Sequence, residues 1–160
     1  MDHDGTTIAS TKRPIEFWIV IVFMSLSVAL LLLGQTMALF NYNFAVSLGL
    51  QENIKEISEF GVQINRAFAA GDTAIYIPLI VLSIIGLCLK KRWALFTSAA
   101  VMGISAYWAT TVAFAFWFLE AVPGYTFIPG IDYWIFITSY IVFGLWGICY
   151  LIYQGESLIK

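Results

Sequence analysis

The chain has 160 residues, of which 61% are hydrophobic and only 11% charged, with a formal net charge of −2. Soluble domains carry about 25% charged residues, so this composition cannot supply the surface of a soluble protein. The length is that of one domain. No basic cluster favours nucleic acid, which we do not expect as a partner. The composition indicates an integral membrane protein.

Four apolar runs predict four membrane-spanning helices. Each is close to the ~20 apolar residues that a helix needs to cross a bilayer, and charged residues gather in the connections. The predicted fold class is therefore an all-α integral membrane protein, a four-transmembrane-helix bundle over residues 15–160 that follows an N-terminal tail over residues 1–14. The runs cover residues 17–40, 74–89, 93–119 and 134–153.

Positive charges predict the orientation, because lysine and arginine remain on the cytoplasmic side. Both termini are expected in the cytoplasm, and the connections Asn41–Gly71 and Glu120–Tyr133 are expected on the outer side. The three-residue connection Lys90–Arg92 predicts an antiparallel hairpin of the second and third helices. Six cations would lie inside: Lys12, Arg13, Lys90, Lys91, Arg92 and Lys160.

The first outer connection carries a helical pattern of its own. Apolar residues recur at three- and four-residue steps between polar ones, which predicts an amphipathic helix over about residues 50–69. We expect it flat on the outer interface or folded over the mouth of the bundle. Its apolar positions are Leu50, Ile54, Ile57, Gly61, Ile64 and Phe68.

The second outer connection contains Pro123-Gly124 and Pro129-Gly130. Proline fixes φ and glycine accepts a positive φ, so each pair predicts a type II turn. The connection should therefore be ordered by its own chemistry.

Small residues in the third and fourth runs predict close helix packing. Such faces let neighbouring backbones approach where hydrophobic burial gives no net drive. We expect the two faces to pack on each other or on the first helix, with the seam of a homo-oligomer as the alternative. The residues are Ala99, Gly103, Ala106, Thr110 and Ala113, and then Tyr140, Gly144 and Gly147.

Three outer acids have separate interpretations. Asp72 and Asp132 each precede a predicted helix, so both are interpreted as helix caps. Glu120 follows the end of the third run, where the helix dipole disfavours an anion. We expect it to form a structural ion pair with Arg66. A Glu120 without that partner would instead be a candidate for proton or ligand chemistry.

Polar residues collect toward the outer half of the predicted bundle, which suggests an outward-opening cavity. Such a cavity with aromatic walls fits an apolar or amphiphilic ligand. The candidate pocket residues are Gln35, Tyr76, Thr111, Trp117 and Glu120.

Catalytic and metal-binding motifs are missing from the sequence. His3 is the single histidine, and Cys88 and Cys149 do not form a C-x-x-C motif, so neither a metal site nor dithiol chemistry is supported. We expect no cofactor.

Four functions remain open. The favoured one is a non-enzymatic protein that binds a lipid, a sterol-like compound or a quinone. The alternatives are an accessory or assembly subunit of a larger membrane complex, an oligomeric proton-coupled transporter using Glu120 or Asp72, and an enzyme acting on lipid head groups through Asp72, Glu120 and Asp132. Membrane lipids are the expected partners throughout.

Overall fold

Residues 13–160 are described by a computed structural model, and every regular element in them is helical. Without water to bind, each unpaired backbone N–H or C=O costs several kcal/mol, so long apolar runs fold as helices that pair these groups internally. Four helices in this range are long and apolar enough to cross a membrane. The predictions for residues 1–12, including His3, lie outside the described residues.

The helices are numbered in chain order. They are α1 (Ile15–Phe40, with a π-helical segment at Leu32–Thr36), α2 (Tyr42–Ser47), α3 (Ile54–Cys88, with a π-helical segment at Asp72–Tyr76), α4 (Trp93–Leu119) and α5 (Ile131–Gln154), which a 3₁₀ turn at Gly155–Leu158 follows. α4 coincides with the third apolar run. α1 and α5 begin two and three residues earlier than the first and fourth runs.

α3 corrects the prediction of a separate amphipathic helix. The amphipathic stretch and the second membrane run form one helix of 35 residues. Gly71 and Asp72 have φ/ψ of −60°/−46° and −62°/−44°, so the chain crosses the junction without leaving the helix. Ser58 has a non-helical φ of 65° and kinks the first turn, so the part of α3 that continues along one axis runs from residue 59 to Cys88. At 1.5 Å per residue that part is about 45 Å long, against ~30 Å for a hydrocarbon core.

The hairpin between α3 and α4 is closed at the last turn of α3. The N–H of Lys90 donates to the carbonyl of Leu87 (3.1 Å), and that of Lys91 donates to Gly86 (2.8 Å). These are the two bonds of a Schellman motif, with Lys90 at a φ of +55° where glycine is usual. The predicted antiparallel hairpin is therefore present.

The most extensive helix contact joins α4 to α5. A Cβ added to Gly144 would lie 2.6 Å from the carbonyl oxygen of Met102 and 2.8 Å from the backbone nitrogen of Ala106, and one added to Gly147 would overlap the Met102 side chain. Glycine therefore lets these two backbones touch. The predicted packing of the small-residue faces on each other is confirmed at Gly144 and Ala106.

The end of the molecule that carries Lys90–Arg92 and Lys160 is called the basic end. Arg13 lies at this end, and its guanidinium donates to the carbonyls of Leu87 (3.1 Å), Leu158 (3.1 Å) and Cys88 (3.0 Å). These bonds tie the start of α1 to the last turns of α3 and of the chain.

The opposite end, called the far end, holds the two longer connections. Gly124 has a φ of +87° and the N–H of Tyr125 donates to Val122 (3.1 Å), as in the predicted type II turn. The prediction for Pro129-Gly130 is wrong, because Gly130 has a φ of −70° and is the N-cap of α5. The N–H of Thr126 donates to the carbonyl of Glu56 (2.8 Å), joining this connection to the start of α3.

Candidate functional site

Two π-helical segments face each other between α1 and α3, Leu32–Thr36 and Asp72–Tyr76. A π segment adds a residue to a helical turn, which disturbs the regular hydrogen-bond ladder and is frequent at functional sites. The hydroxyls of Thr36 and Thr73 lie 3.0 Å apart and link the two segments. A polar contact thus joins α1 and α3, whose other buried residues are mostly apolar.

Asp72 is the buried acid of this region. Its side chain is only 7% exposed, and no group among residues 13–160 donates a hydrogen bond to its Oδ2 atom. A carboxylate removed from water without a partner costs several kcal/mol, so such a group calls for an explanation. We call Asp72, with Thr36, Thr73, Tyr76 and Ser105, the Asp72 site.

Tyr76 of α3 and Tyr140 of α5 are both buried, and neither hydroxyl donates to Asp72. Ser105 donates to the carbonyl of Val101 (3.0 Å) and so must accept from Tyr76, whose hydroxyl lies 2.6 Å from it. The hydroxyl of Tyr140 donates to Ser27 (2.9 Å). A hydroxyl has one proton to donate, and each of these two tyrosines donates it to a serine, so neither has a proton left for Asp72.

The chain between α2 and α3 lies against the π segment of α1. Gln51, which is buried, donates to the side-chain carbonyl of Gln35 in the π segment of α1 (3.4 Å). The Cβ of Leu50 lies 3.4 Å from where a Cβ of Gly34 would stand. Side chains of this connection therefore contact the π segment directly.

Glu52, next in the chain, belongs to a second polar cluster at the far end. The amide of Asn65 donates to its Oε2 atom (2.6 Å), and the hydroxyl of Tyr42 donates to its backbone carbonyl (3.1 Å). Burial raises the pKa of the Glu52 carboxyl. Burial likewise raises the pKa of Tyr42 to about 12, and the nearby Glu52 charge adds to the rise.

The predicted cap roles of Asp72 and Asp132 are wrong. Asp72 lies in the middle of α3 because the helix begins at Ile54 and is capped there by Asn53, whose side chain accepts from Lys55 N–H (2.9 Å). Asp132 is the second residue of α5, one position after the helix begins, and Gly130 is the N-cap. It still lies where the helix dipole favours an anion.

The predicted Glu120–Arg66 ion pair is not formed. Arg66 donates instead to the carbonyl of Leu39 (3.2 Å) and to Gln63 (3.4 Å). Among residues 13–160 the one ion pair is Arg92–Glu156. Arg66 contacts the end of α1 because α3 extends beside that end of the helix. Glu120 lies exposed at the end of α4.

The five predicted pocket residues do not meet. Gln35 and Tyr76 lie in the two facing π segments, and Tyr76 belongs to the Asp72 site. Thr111 donates to its own helix at Tyr107 (2.8 Å) and lines a shallow apolar groove on α4. Trp117 is 74% exposed, and Glu120 is exposed.

Sequence reasoning missed three members of the buried polar network, Ser27, Ser105 and Tyr140. Each lies within an apolar run, and its position along one helix does not reveal its partner on another. Asp72 and Tyr76 carried a usable signal, since their four-residue spacing places them on one helix face. This spacing predicts a shared face only if the helix is known to be continuous through Asp72.

No cluster of three or more His, Cys, Asp or Glu side chains suited to a metal ion occurs within residues 13–160. Comparison of the chain with models of known protein families, with curated proteins and with solved structures finds no match. The function is therefore inferred from the residues of the Asp72 site.

Proposed function

We propose that this chain is an integral membrane protein whose Asp72 binds and releases a proton within the membrane, as the coupling site of a proton-driven transport cycle. The observation that carries the proposal is the buried carboxylate oxygen without a donor among residues 13–160. Ionisable side chains inside a membrane mark proton and substrate paths. A protonated carboxyl is neutral and brings its own donor, which suits this environment better than an unpaired anion.

The depth of Asp72 supports this choice over Glu120. Asp72 is 16 residues from Cys88, the last residue of α3, which corresponds to about 24 Å along a helix. With the basic end at one interface, Asp72 falls inside the far half of a hydrocarbon core ~30 Å thick. Glu120 follows all 27 residues of α4, about 40 Å from the basic end, and so lies in the opposite head-group region.

The other hypotheses receive less support from these positions. A pocket for an amphiphile requires its five candidate residues around one void, and Thr111, Trp117 and Glu120 point away from the Asp72 site. An enzyme using the three outer acids requires them in one cleft, whereas Asp72 is buried and Glu120 and Asp132 are exposed. An accessory subunit would not require an unpaired buried acid.

We further propose that the four long helices form a transmembrane bundle with both termini in the cytoplasm. Arg13, Lys90–Arg92 and Lys160 lie at the basic end, which the positive-inside rule assigns to the cytoplasm. The far end, with residues 41–53 and 120–130, then faces outward. Lipids would cover the exposed apolar side chains, and a second copy or a larger membrane complex would complete a transport path.

Infrared difference spectroscopy of the protein in lipid tests the proton site without knowledge of any substrate. At about pH 5, where exposed carboxyls are mostly ionised, the parent chain should show the carbonyl stretch of a protonated carboxylic acid from Asp72. The Asp72→Asn variant should lose the intensity of one carboxyl group. It should keep its free energy of unfolding within about 1 kcal/mol, because asparagine is neutral and has nearly the shape of the protonated carboxyl it replaces.

The matched control is Asp132→Asn, which removes an exposed acid from the first turn of α5. Its spectrum should retain the Asp72 band. If Asp72→Asn folds and leaves the protonated-carboxyl intensity unchanged, Asp72 does not hold a proton and the proposal fails.

A further inference from the structure

A groove of about 670 Å³ lies at the basic end, between α4, α5 and the 3₁₀ turn that follows α5. We call it the basic-end groove. No residue of the Asp72 site or of the predicted outer pocket lines it. Both helices contribute apolar side chains to its walls, which are Leu95, Phe96, Ala99, Ile148, Leu151 and Ile152.

The groove changes from polar to apolar along its length. Its polar lining residues are Gln154, Glu156, Ser157 and Lys160, all at or after the end of α5. Ala99 follows the first residue of α4 by six positions, and Ile148 precedes the last residue of α5 by six. Both therefore lie about 9 Å further along the helices. A phospholipid changes from head group to acyl chain in the same sense.

The turn at the polar end is fixed in place by the fold. Leu158 is fully buried, and its carbonyl accepts a hydrogen bond from Arg13 (3.1 Å). The hydroxyls of Ser157 and of Tyr150 in α5 lie 2.5 Å apart. The groove is therefore formed by the folded chain itself, as ligand sites usually are.

The polar end carries more positive than negative charge. Lys160 lines it, and the ammonium of Lys90 donates to the backbone carbonyl of Lys160. Arg92 reaches the same end, where it lies 2.7 Å from Glu156. Within residues 13–160 neither lysine forms an ion pair. Three cations thus stand against one acid, and the surplus attracts an anion.

We propose that the basic-end groove binds one anionic phospholipid, with an acyl chain between α4 and α5 and the phosphate beside Lys160, Lys90 and Arg92. Basic pockets between membrane helices bind acidic lipid head groups. The apolar walls favour a lipid over a soluble anion, and the surplus of cations favours an anionic lipid over a neutral one. The site rests on the proposed transmembrane bundle, and it requires neither proton binding at Asp72 nor a particular side for the basic end.

Native mass spectrometry tests the site on protein released from lipid nanodiscs. The discs contain equal amounts of phosphatidylglycerol and phosphatidylcholine with the same acyl chains, and both leaflets carry both lipids. We expect the parent chain to retain one phosphatidylglycerol, in preference to phosphatidylcholine by at least about tenfold. Each cation near a membrane surface contributes about fivefold to the binding of an anionic lipid.

A variant that fills the groove separates its shape from its charge. Ala99→Phe places a ring between the apolar walls and leaves every charge unchanged, so the ratio of the two lipid adducts should fall toward one. The matched control is Ala100→Phe, the same substitution at the next residue, which is exposed and does not line the groove. It should retain the parent ratio.

A second pair of variants tests the charge. Lys160→Gln removes one exposed cation from the polar end and should lower the ratio about fivefold. Because this position is exposed, it gives a readout even if Ala99→Phe does not fold. Lys55→Gln removes an exposed cation at the far end and should leave the ratio unchanged.

Equal adducts of the two lipids on the parent chain would overturn the site. So would an unchanged ratio in a folded Ala99→Phe variant, because the preference would then come from the charged surface alone. Failure of the Asp72 proposal is read separately from the infrared spectrum. A selective phosphatidylglycerol adduct on a chain whose Asp72 holds no proton would retain the lipid site and remove only the function assigned to Asp72.

Discussion

Arg13 and Arg92 lie at the same end of the molecule but contribute differently to its stability. Arg13 is half-buried, donates to three main-chain carbonyls, and places its guanidinium 4.2 Å from the centre of the Phe17 ring. Arg92 pairs with Glu156 at 2.7 Å, with the two side chains 80% and 59% exposed. Water screens the exposed Arg92–Glu156 pair more than the half-buried Arg13, and the helix-end carbonyls that Arg13 binds have few other donors.

We therefore expect Arg13→Ala to lower the free energy of unfolding by about 2 kcal/mol, since hydrogen bonds from a charged group contribute ~1.5–3 kcal/mol. Arg92→Ala, the matched control, should cost less than about 1 kcal/mol. Equilibrium unfolding in mixed detergent, followed by tryptophan fluorescence, measures both. Equal losses in the two variants would show that Arg13 does not tie the basic end together.

At the scale of elements, helix continuity determines where polar groups lie. α3 does not begin at Asp72, so an acid that would have been an exposed N-cap is inside a helix that packs on α1. The π segment there rotates the residues that follow it relative to a regular helix. The α4–α5 pair is regular by comparison, and glycine sets its spacing.

Gly144→Val should disrupt that spacing. Its side chain would enter the backbone of Met102 and Ala106, which cannot yield as a flexible side chain would, so we expect a loss of at least about 1–3 kcal/mol in unfolding free energy. Gly103→Val is the control, because a Cβ at Gly103 meets no atom within 4 Å. Thermal unfolding in detergent measures the two variants. A control that is destabilised as much as Gly144→Val would contradict the packing argument.

For the whole molecule, the two ends differ in chemistry. The basic end joins the start of α1, the hairpin and the last turn of the chain through Arg13. The far end instead joins two connections through neutral and acidic groups around Glu52 and Glu56. This asymmetry is the basis for the proposed orientation.

Single cysteines at the two ends test the orientation. In the chain with both native cysteines replaced by serine, Asn43→Cys at the far end should react with an impermeant maleimide added to intact cells. Gln154→Cys, at the end of α5, should react only after the membrane is opened. Both positions are exposed in the folded chain, so burial does not explain a difference. Labelling of Gln154→Cys in intact cells would reverse the assignment of sides.

Much of the fold could be predicted because its causes are local. The third apolar run coincides with α4, the turn at Lys90–Arg92 forms the hairpin, and Gly144 packs against Ala106 as its size suggests. The helical pattern around Ile54–Phe68 was also correct as a helix. The helices and the hairpin depend on residues within a few turns of one another, and the close approach at Gly144 depends on small residues in both helices, so spacing and residue type were sufficient.

The composition and the spacing of apolar residues by themselves determined that the chain folds as four long apolar helices, since backbone groups without water must pair within their own segment. Only the tertiary structure decided the site. Asp72 became a buried acid because α3 is continuous and packs on the π segment of α1, and Arg66 left Glu120 unpaired because that continuity places it beside Leu39. Which polar side chain faces which depends on how separate helices are rotated against each other, and spacing along a single helix does not contain that information.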